Sequence, residues 1–342
     1  MDNEQLYSNK QIIDKQFEVI RVFGSIIIVF MHSSIMYGGY GVVFPKIKSE
    51  FFKFFSFYFY SFMIELFMLL SGITYGICLN KSNEYSDAKF VLFSKFKRLM
   101  IPYYLAGILY VAPIMIILKI TNKNYFKYVL IDIILGKNCR HLWLLLALFD
   151  NFIFIIILRS FITSEKKEEI ILIISIFLLL ITREIPDILC LNRALYFFLF
   201  FSLGYFIHNK IETINLFFSQ NLSLWFSLGF ATFPLSLFGR AIHGRLKAIQ
   251  ALPGVFFYFY FARIICQSFL SNNIIFDMIL KNGFGIYIIH PMLIYFMYFK
   301  YGQNNIKPWI LVFSTTITAI IFSLIISVFL RLFHLGFLFG EI

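Results

Sequence analysis

The chain has 342 residues, of which 60% are hydrophobic and only 14% charged, with a mean hydropathy of +0.81. A soluble domain is closer to half apolar and a quarter charged, so the composition excludes a water-soluble enzyme and a soluble domain on a single anchor. The formal net charge of +12 belongs to a membrane setting, where Lys and Arg near helix ends reach anionic headgroups, and no segment supplies the basic soluble face that nucleic-acid binding needs.

In chain order, residues 1–15 are polar and too mixed in charge for a secretory leader. No small-residue cleavage site follows the first apolar run, which therefore reads as a retained helix. Charge-poor stretches recur near 17–38, 54–79, 99–119, 141–160, 168–183, 193–209, 218–239, 248–268, 282–300 and 308–332. A helix needs roughly 20 apolar residues to cross a hydrocarbon core of ~30 Å, and the fifth and sixth stretches are short enough to be re-entrant. The expected fold class is all-α integral membrane, a single domain over 1–342 built from about ten transmembrane helices. The longest polar connections, about 80–98 and 120–140, leave no room for an extramembrane domain. Lys and Arg divide almost evenly between the two sides of such a bundle, so the positive-inside rule does not orient it. Cys78, Cys139, Cys190 and Cys266 show neither CxxC nor Cys/His spacing, which supports no disulfide framework and no metal site.

A charge at the centre of a membrane helix costs at least ~2.5–3.5 kcal/mol on insertion scales, so such residues are functional candidates by default. They are Glu18, Arg21 and His32 in the first stretch, Glu65 in the second, Asp150 in the fourth, Arg263 in the eighth and His290 in the ninth, with Arg98 at the mouth of the third. Arg21 and His32 are eleven residues apart, three helical turns, and share a face about 16 Å apart along the axis. Glu18, one turn before Arg21, is placed to pair with it. An imidazole deep in such a face either takes a proton from a hydroxyl near neutral pH or packs against a neighbouring carbonyl.

Glu65 has no cation within one turn, so its partner comes from another helix. It is either a protonated acid bonded within the bundle or the group that orients His32, as the acid does in a Ser-His-Asp triad. Ser71-Gly72 permits close helix approach. The run Lys95, Lys97, Arg98 serves equally as a membrane anchor or as a receiver of donor phosphates. The same two readings apply to Arg240, His243, Arg245 and Lys247, while Asp150 and Arg263 are candidates to pair across the bundle.

These pieces, in this order, resemble the acyltransferase 3 family of membrane acyltransferases. The landmarks are Arg21-x10-His32; Glu65 followed by an apolar run to Ser71-Gly72; Lys97-Arg98-Leu-Met-Ile-Pro102-Tyr103; His141-Leu-Trp143-Leu; Phe201-Ser-Leu-Gly204-Tyr205; and Gly285-Ile-Tyr287-Ile-Ile-His290-Pro291. The resemblance implies a ten-helix bundle with a cytoplasmic N-terminus in the inner or plasma membrane. It implies transfer of an acyl group, most often acetyl, from acyl-CoA as co-substrate to a hydroxyl of a cell-surface or lipid-linked carbohydrate, with no permanently bound cofactor. Carried over by position, Arg21 and His32 are the essential pair, His32 as general base and Arg21 with Arg98 on the donor. Glu65 is a catalytic candidate, and His141, Trp143 and His290 are candidates to line the substrate cavity.

Two features depart from the family pattern. One arginine precedes Pro102 where many relatives carry two or three, and no esterase-like domain accompanies the membrane helices, so transfer either completes within the bundle or passes to a partner. A transporter of lipid-linked sugars is the main rival, opposed by the lack of a repeat between halves. A glycan polymerase, the second rival, generally has a longer external loop.

Overall fold

A chain that crosses hydrocarbon must satisfy its backbone polar groups internally, which leaves the helix as the outcome for charge-poor runs rich in Phe, Leu and Ile. The computed structural model describes residues 3–39, 41–238, 246–268 and 273–341, and among them every regular element is helical. We label the main helices α1 (Asn3–Ser34), α2 (Glu50–Tyr60), α3 (Met63–Lys81), α4 (Ala88–Ile117), α5 (Trp143–Phe161), α6 (Lys167–Ile181), α7 (Leu191–Ile207), α8 (Ile211–Gln220), α9 (Leu222–Phe238), α10 (Leu246–Ser268), α11 (Ile274–Tyr301) and α12 (Pro308–Leu332).

Each of the ten apolar stretches contains helix, yet fewer are long enough to span. Among the described residues, seven segments are long and apolar enough to cross a membrane, or eight if α7 and α8, which meet at 91°, form one broken span. The difference from about ten lies in the middle of the chain. There α6 has 15 residues, and the apolar part of α9 covers Leu222–Leu235.

Local chemistry shapes the long helices. Two prolines interrupt α4, and each follows a widened π-helical turn, Phe96–Met100 before Pro102 and Gly107–Val111 before Pro113. A proline removes one backbone donor and its ring crowds the preceding turn; the wider turns absorb both effects without ending the helix.

Packing is tightest where small residues face each other. A Cβ on Gly72 of α3 would collide with the carbonyl oxygen of Phe201, and one on Gly204 of α7 would collide with that of Leu69. The two helices therefore touch backbone to backbone, in the manner of small-residue crossings in membranes. A hydrogen bond from Ser202 Oγ to Ser175 Oγ, 2.7 Å, ties α7 to α6. On the other side of the bundle Gln16 of α1 donates to the Phe259 carbonyl of α10 at 2.8 Å and accepts from Asn215 of α8 at 2.9 Å.

Two expected pairings are not formed. Arg263 bonds Glu212 of α8 at 3.4 Å rather than Asp150, which is buried on α5 with one oxygen unpartnered among the described residues. Glu18 pairs with Lys15 one turn earlier, 3.3 Å away, rather than with Arg21. Cys139 and Cys190, distant in sequence, bring their sulfurs to 3.8 Å as free thiols. Arg240, His243 and Arg245 lie outside the described residues.

Candidate active site

The stripe of α1 that carries Glu18, Arg21, Ser25 and Ile28 lines a cavity of about 550 Å³. Its other walls come from α3, α4, α5, α11 and the end of α12. Five cations reach it: Arg21, Lys95 and Arg98 from α1 and α4, Lys281 from α11, and Arg331 from α12. Among the described residues no carboxylate lies within 4 Å of Arg21, Lys95, Arg98 or Lys281. Lys95 is steadied by aromatic rings, 4.7 Å above that of Phe152 and 5.6 Å from that of Tyr85. Lys97 turns away onto the ring of Phe93, so the basic run divides between the cavity and the outside of α4.

Among the described residues Arg331 is the one cavity cation with an acid partner within 4 Å. Its Nε donates to Glu341 at 2.6 Å, and its other nitrogens bond Asn282 and the Lys281 carbonyl. Glu341 reaches this place because Gly340 has φ +68 and packs against the Arg98 carbonyl, where a Cβ would collide. The remaining lining is largely apolar and aromatic, including Phe67, Met68, Leu144, Phe284 and Tyr287, and it includes His290.

His290 is fully buried and His32 half-buried. Their rings lie 4.9 Å apart at an interplanar angle of 16°, with His32 Nδ1 2.7 Å from His290 Nε2. His290 Nδ1 meets the Ile286 carbonyl of its own helix at 2.7 Å. Pro291 lacks the amide that would help close the preceding turn, and two side-chain donors enter there: His141 Nε2 to the Ile288 carbonyl at 2.9 Å and Tyr110 Oη to that of Ile289 at 2.7 Å. Tyr287 donates to the His141 carbonyl, and the rings of His141 and His290 are 6.2 Å apart. Tyr298 donates to the Ser33 carbonyl at 2.7 Å and fixes α11 against α1 beside His32.

The candidates from sequence separate into two groups. Arg21, Arg98 and His290 line the cavity, and His32 is the next position on the α1 stripe, bonded to His290. Glu65 is elsewhere: its Oε1 accepts from Tyr196 at 2.9 Å and lies 3.7 Å from Lys247 Nζ, and its other oxygen is unpartnered among the described residues. Among the described residues no hydrogen bond joins Glu65 to His32, the contact that the orienting role would need. Glu65 shares a stripe with Leu69 and Gly72, the stripe that packs on α7, whereas α3 turns Phe67, Met68 and Ser71 toward the cavity. Trp143 does not line this cavity; it stacks on Phe197 at 5.3 Å and carries Arg193 at 5.4 Å. Nor does His141, which sits behind His290.

Sequence reasoning missed Lys281 and Arg331. Spacing gave no signal, since the nine residues from Lys281 to His290 amount to two and a half turns and set the two on opposite sides of a straight helix. The arrangement can hold an anionic, elongated molecule by its charged end and present an imidazole to its far end.

No curated protein matches the chain, and no solved structure does. The family model described as an acyltransferase domain, acyltransferase 3, matches residues 14–328. That match runs from the start of the cavity-lining stripe of α1 into α12, so the chain belongs to the acyltransferase 3 family.

Proposed function

We propose that the protein is a membrane-embedded O-acyltransferase that moves an acyl group, acetyl in the first instance, from acyl-CoA to a hydroxyl of a cell-surface or lipid-linked carbohydrate. The observation that carries this reading is one cavity lined by four cations with no carboxylate within 4 Å among the described residues and by His290, to which His32 is bonded. Phosphates are matched by Arg and Lys through charge-assisted hydrogen bonds, so Arg21, Lys95, Arg98 and Lys281 receive the nucleotide end of the donor. The apolar walls accept the pantetheine arm, which carries the thioester toward His32.

His32 Nε2 then removes the proton of the acceptor hydroxyl. The oxygen attacks the acyl carbon, the carbon–oxygen bond forms, the carbon–sulfur bond breaks, and the thiolate leaves with the proton held by His32. Direct transfer is sufficient chemistry for a thioester already activated, given held positions and a general base. In this reading the N-terminus and the cation end of the cavity are cytoplasmic, where acyl-CoA is found. The short α6 and α9 and the bent α7–α8 pair complete the crossing in a ten-helix bundle of the inner or plasma membrane.

The test is CoA release from acetyl-CoA by inverted membrane vesicles that retain their endogenous lipid-linked glycans. The wild-type chain is expected to release CoA and leave an ester on its product, and His32→Ala, inserted to the same level, to release none above background. Background release by both across acceptor-rich extracts and longer acyl-CoAs would favour the transporter reading.

A further inference from the structure

We propose that His290 is a positioning residue that holds His32 in one tautomer, with the proton on Nδ1 and a free lone pair on Nε2. The proposal rests on the reading of His32 as the base and supplies the partner that Glu65 does not provide. The neighbours of the two rings dictate the hydrogen positions. The Ile286 carbonyl can only accept, so the 2.7 Å contact requires a proton on His290 Nδ1. His290 is fully buried with no carboxylate within 4 Å among the described residues. A charged ring there would be an uncompensated buried ion, so the ring is neutral and its Nε2 carries a lone pair.

His32 Nδ1 lies 2.7 Å from that lone pair and must therefore be the donor. The remaining nitrogen of His32, Nε2, is left unprotonated, which is the state a general base requires. His290 has no nitrogen left for chemistry of its own, since both are engaged. His141 does not compete either. Its Nε2 donates to the Ile288 carbonyl, and its unprotonated Nδ1 is buried with no partner among the described residues. Of the three rings, only that of His32 combines a free lone pair with partial exposure.

In the transfer step His32 Nε2 takes the hydroxyl proton and later yields it to the departing thiolate. Throughout, Nδ1–H stays bonded to His290 Nε2, and His290 gains and loses nothing. A neutral imidazole thus does what a carboxylate does in a Ser-His-Asp triad, fixing tautomer and ring orientation. The hydrogen bonds around Pro291 fix the turn that carries His290.

The test combines a spectroscopic signature with a conservative rescue, on the full chain in lipid nanodiscs and in vesicles. Histidine ¹³C/¹⁵N resonances, with those of His32 assigned by their loss in His32→Ala, are expected to report the Nδ1–H form in the wild type. The same form is expected in His290→Gln, whose side-chain oxygen takes the place of Nε2, and not in His290→Leu. In the vesicle assay His290→Leu is expected to lower kcat by roughly 10²-fold or more, with KM for acetyl-CoA unchanged, and His290→Gln to recover most of it. An Nε2–H tautomer in the wild type overturns the proposal, as does wild-type kcat in His290→Leu. Equal loss in the Leu and Gln variants with the same His32 tautomer in both overturns it too. Wild-type activity in His32→Ala would instead sink the reading of His32 as base.

Discussion

Two groups of intramembrane charge differ in how they are satisfied. Glu65 is fully buried between α3, α7 and α10, where Tyr196 and Lys247 meet it at 2.9 and 3.7 Å beside the backbone contact of Gly72 and Gly204. Arg21, Lys95, Arg98 and Lys281 face a cavity of about 550 Å³ and have no acid within 4 Å among the described residues. The rule that charges within membrane helices are functional treats both groups alike, yet Glu65 is fully buried whereas Arg21, Arg98 and Lys281 are exposed and Lys95 is half-buried. The difference lies in where the compensation comes from. The acid finds its partners within the protein, with Tyr196 and Lys247 both on one of its oxygens. The cations have no acid within 4 Å among the described residues, which is the arrangement the proposed donor site calls for.

The largest effect is expected at the cavity, where His32→Ala should reduce CoA release by at least ~10²-fold, the contribution of a lost general base. Retention of activity by inserted protein would dissolve the division between the two regions. Next comes the closed region. Gly72→Leu drives a side chain into the Phe201 carbonyl, and backbone cannot step aside as a flexible side chain can. A cost of at least ~1–3 kcal/mol is expected, read as a lower thermal midpoint in detergent and reduced inserted yield. An unchanged midpoint would show that α3 and α7 are not in backbone contact.

Smaller and kinetic in character are Arg21→Ala and Arg98→Ala. Each should raise KM for acetyl-CoA by about tenfold with kcat changed less, since a hydrogen bond to a charged group is worth ~1.5–3 kcal/mol. Loss confined to kcat would move these arginines from donor binding to the chemistry. The smallest effect sharpens the comparison most. Glu65→Gln keeps an acceptor for Tyr196 and should leave kcat within about threefold while lowering the thermal midpoint, because the bond to Tyr196 survives and only the contact with Lys247 weakens. A hundredfold fall in kcat at an unchanged midpoint would return Glu65 to the reaction.

Much of the architecture was legible before any coordinates. The all-helical membrane class followed from composition, and the ten apolar stretches each contain helix. Periodicity alone expects Arg21 and His32 on one face; of the two, Arg21 lines the cavity, and His32 reaches it through His290, to which it is bonded. Less legible were the partners. Arg263 chose Glu212, and Glu65 chose Tyr196 and Lys247, because several faces compete for each charge and sequence spacing ranks only those within one helix; Glu18 had two cations one turn away on its own helix and paired with Lys15. The pairing of His32 with His290 spans 258 residues and has no local signature at all.

The amino-acid sequence by itself determined the solvent in which this chain folds, the helical state of its apolar runs and the residues that share a face on each helix. These follow from hydrocarbon thickness, backbone hydrogen bonding and the 3.6-residue turn, all of them local. Which faces meet was decided only by tertiary packing. Gly72 and Gly204 let α3 and α7 close to backbone contact and carried Glu65 with them, whereas the stripes bearing Arg21 and Lys281 stayed far enough apart to enclose a cavity. Helix approach in a membrane is governed by side-chain size at the crossing point, and a crossing point is a property of two helices together.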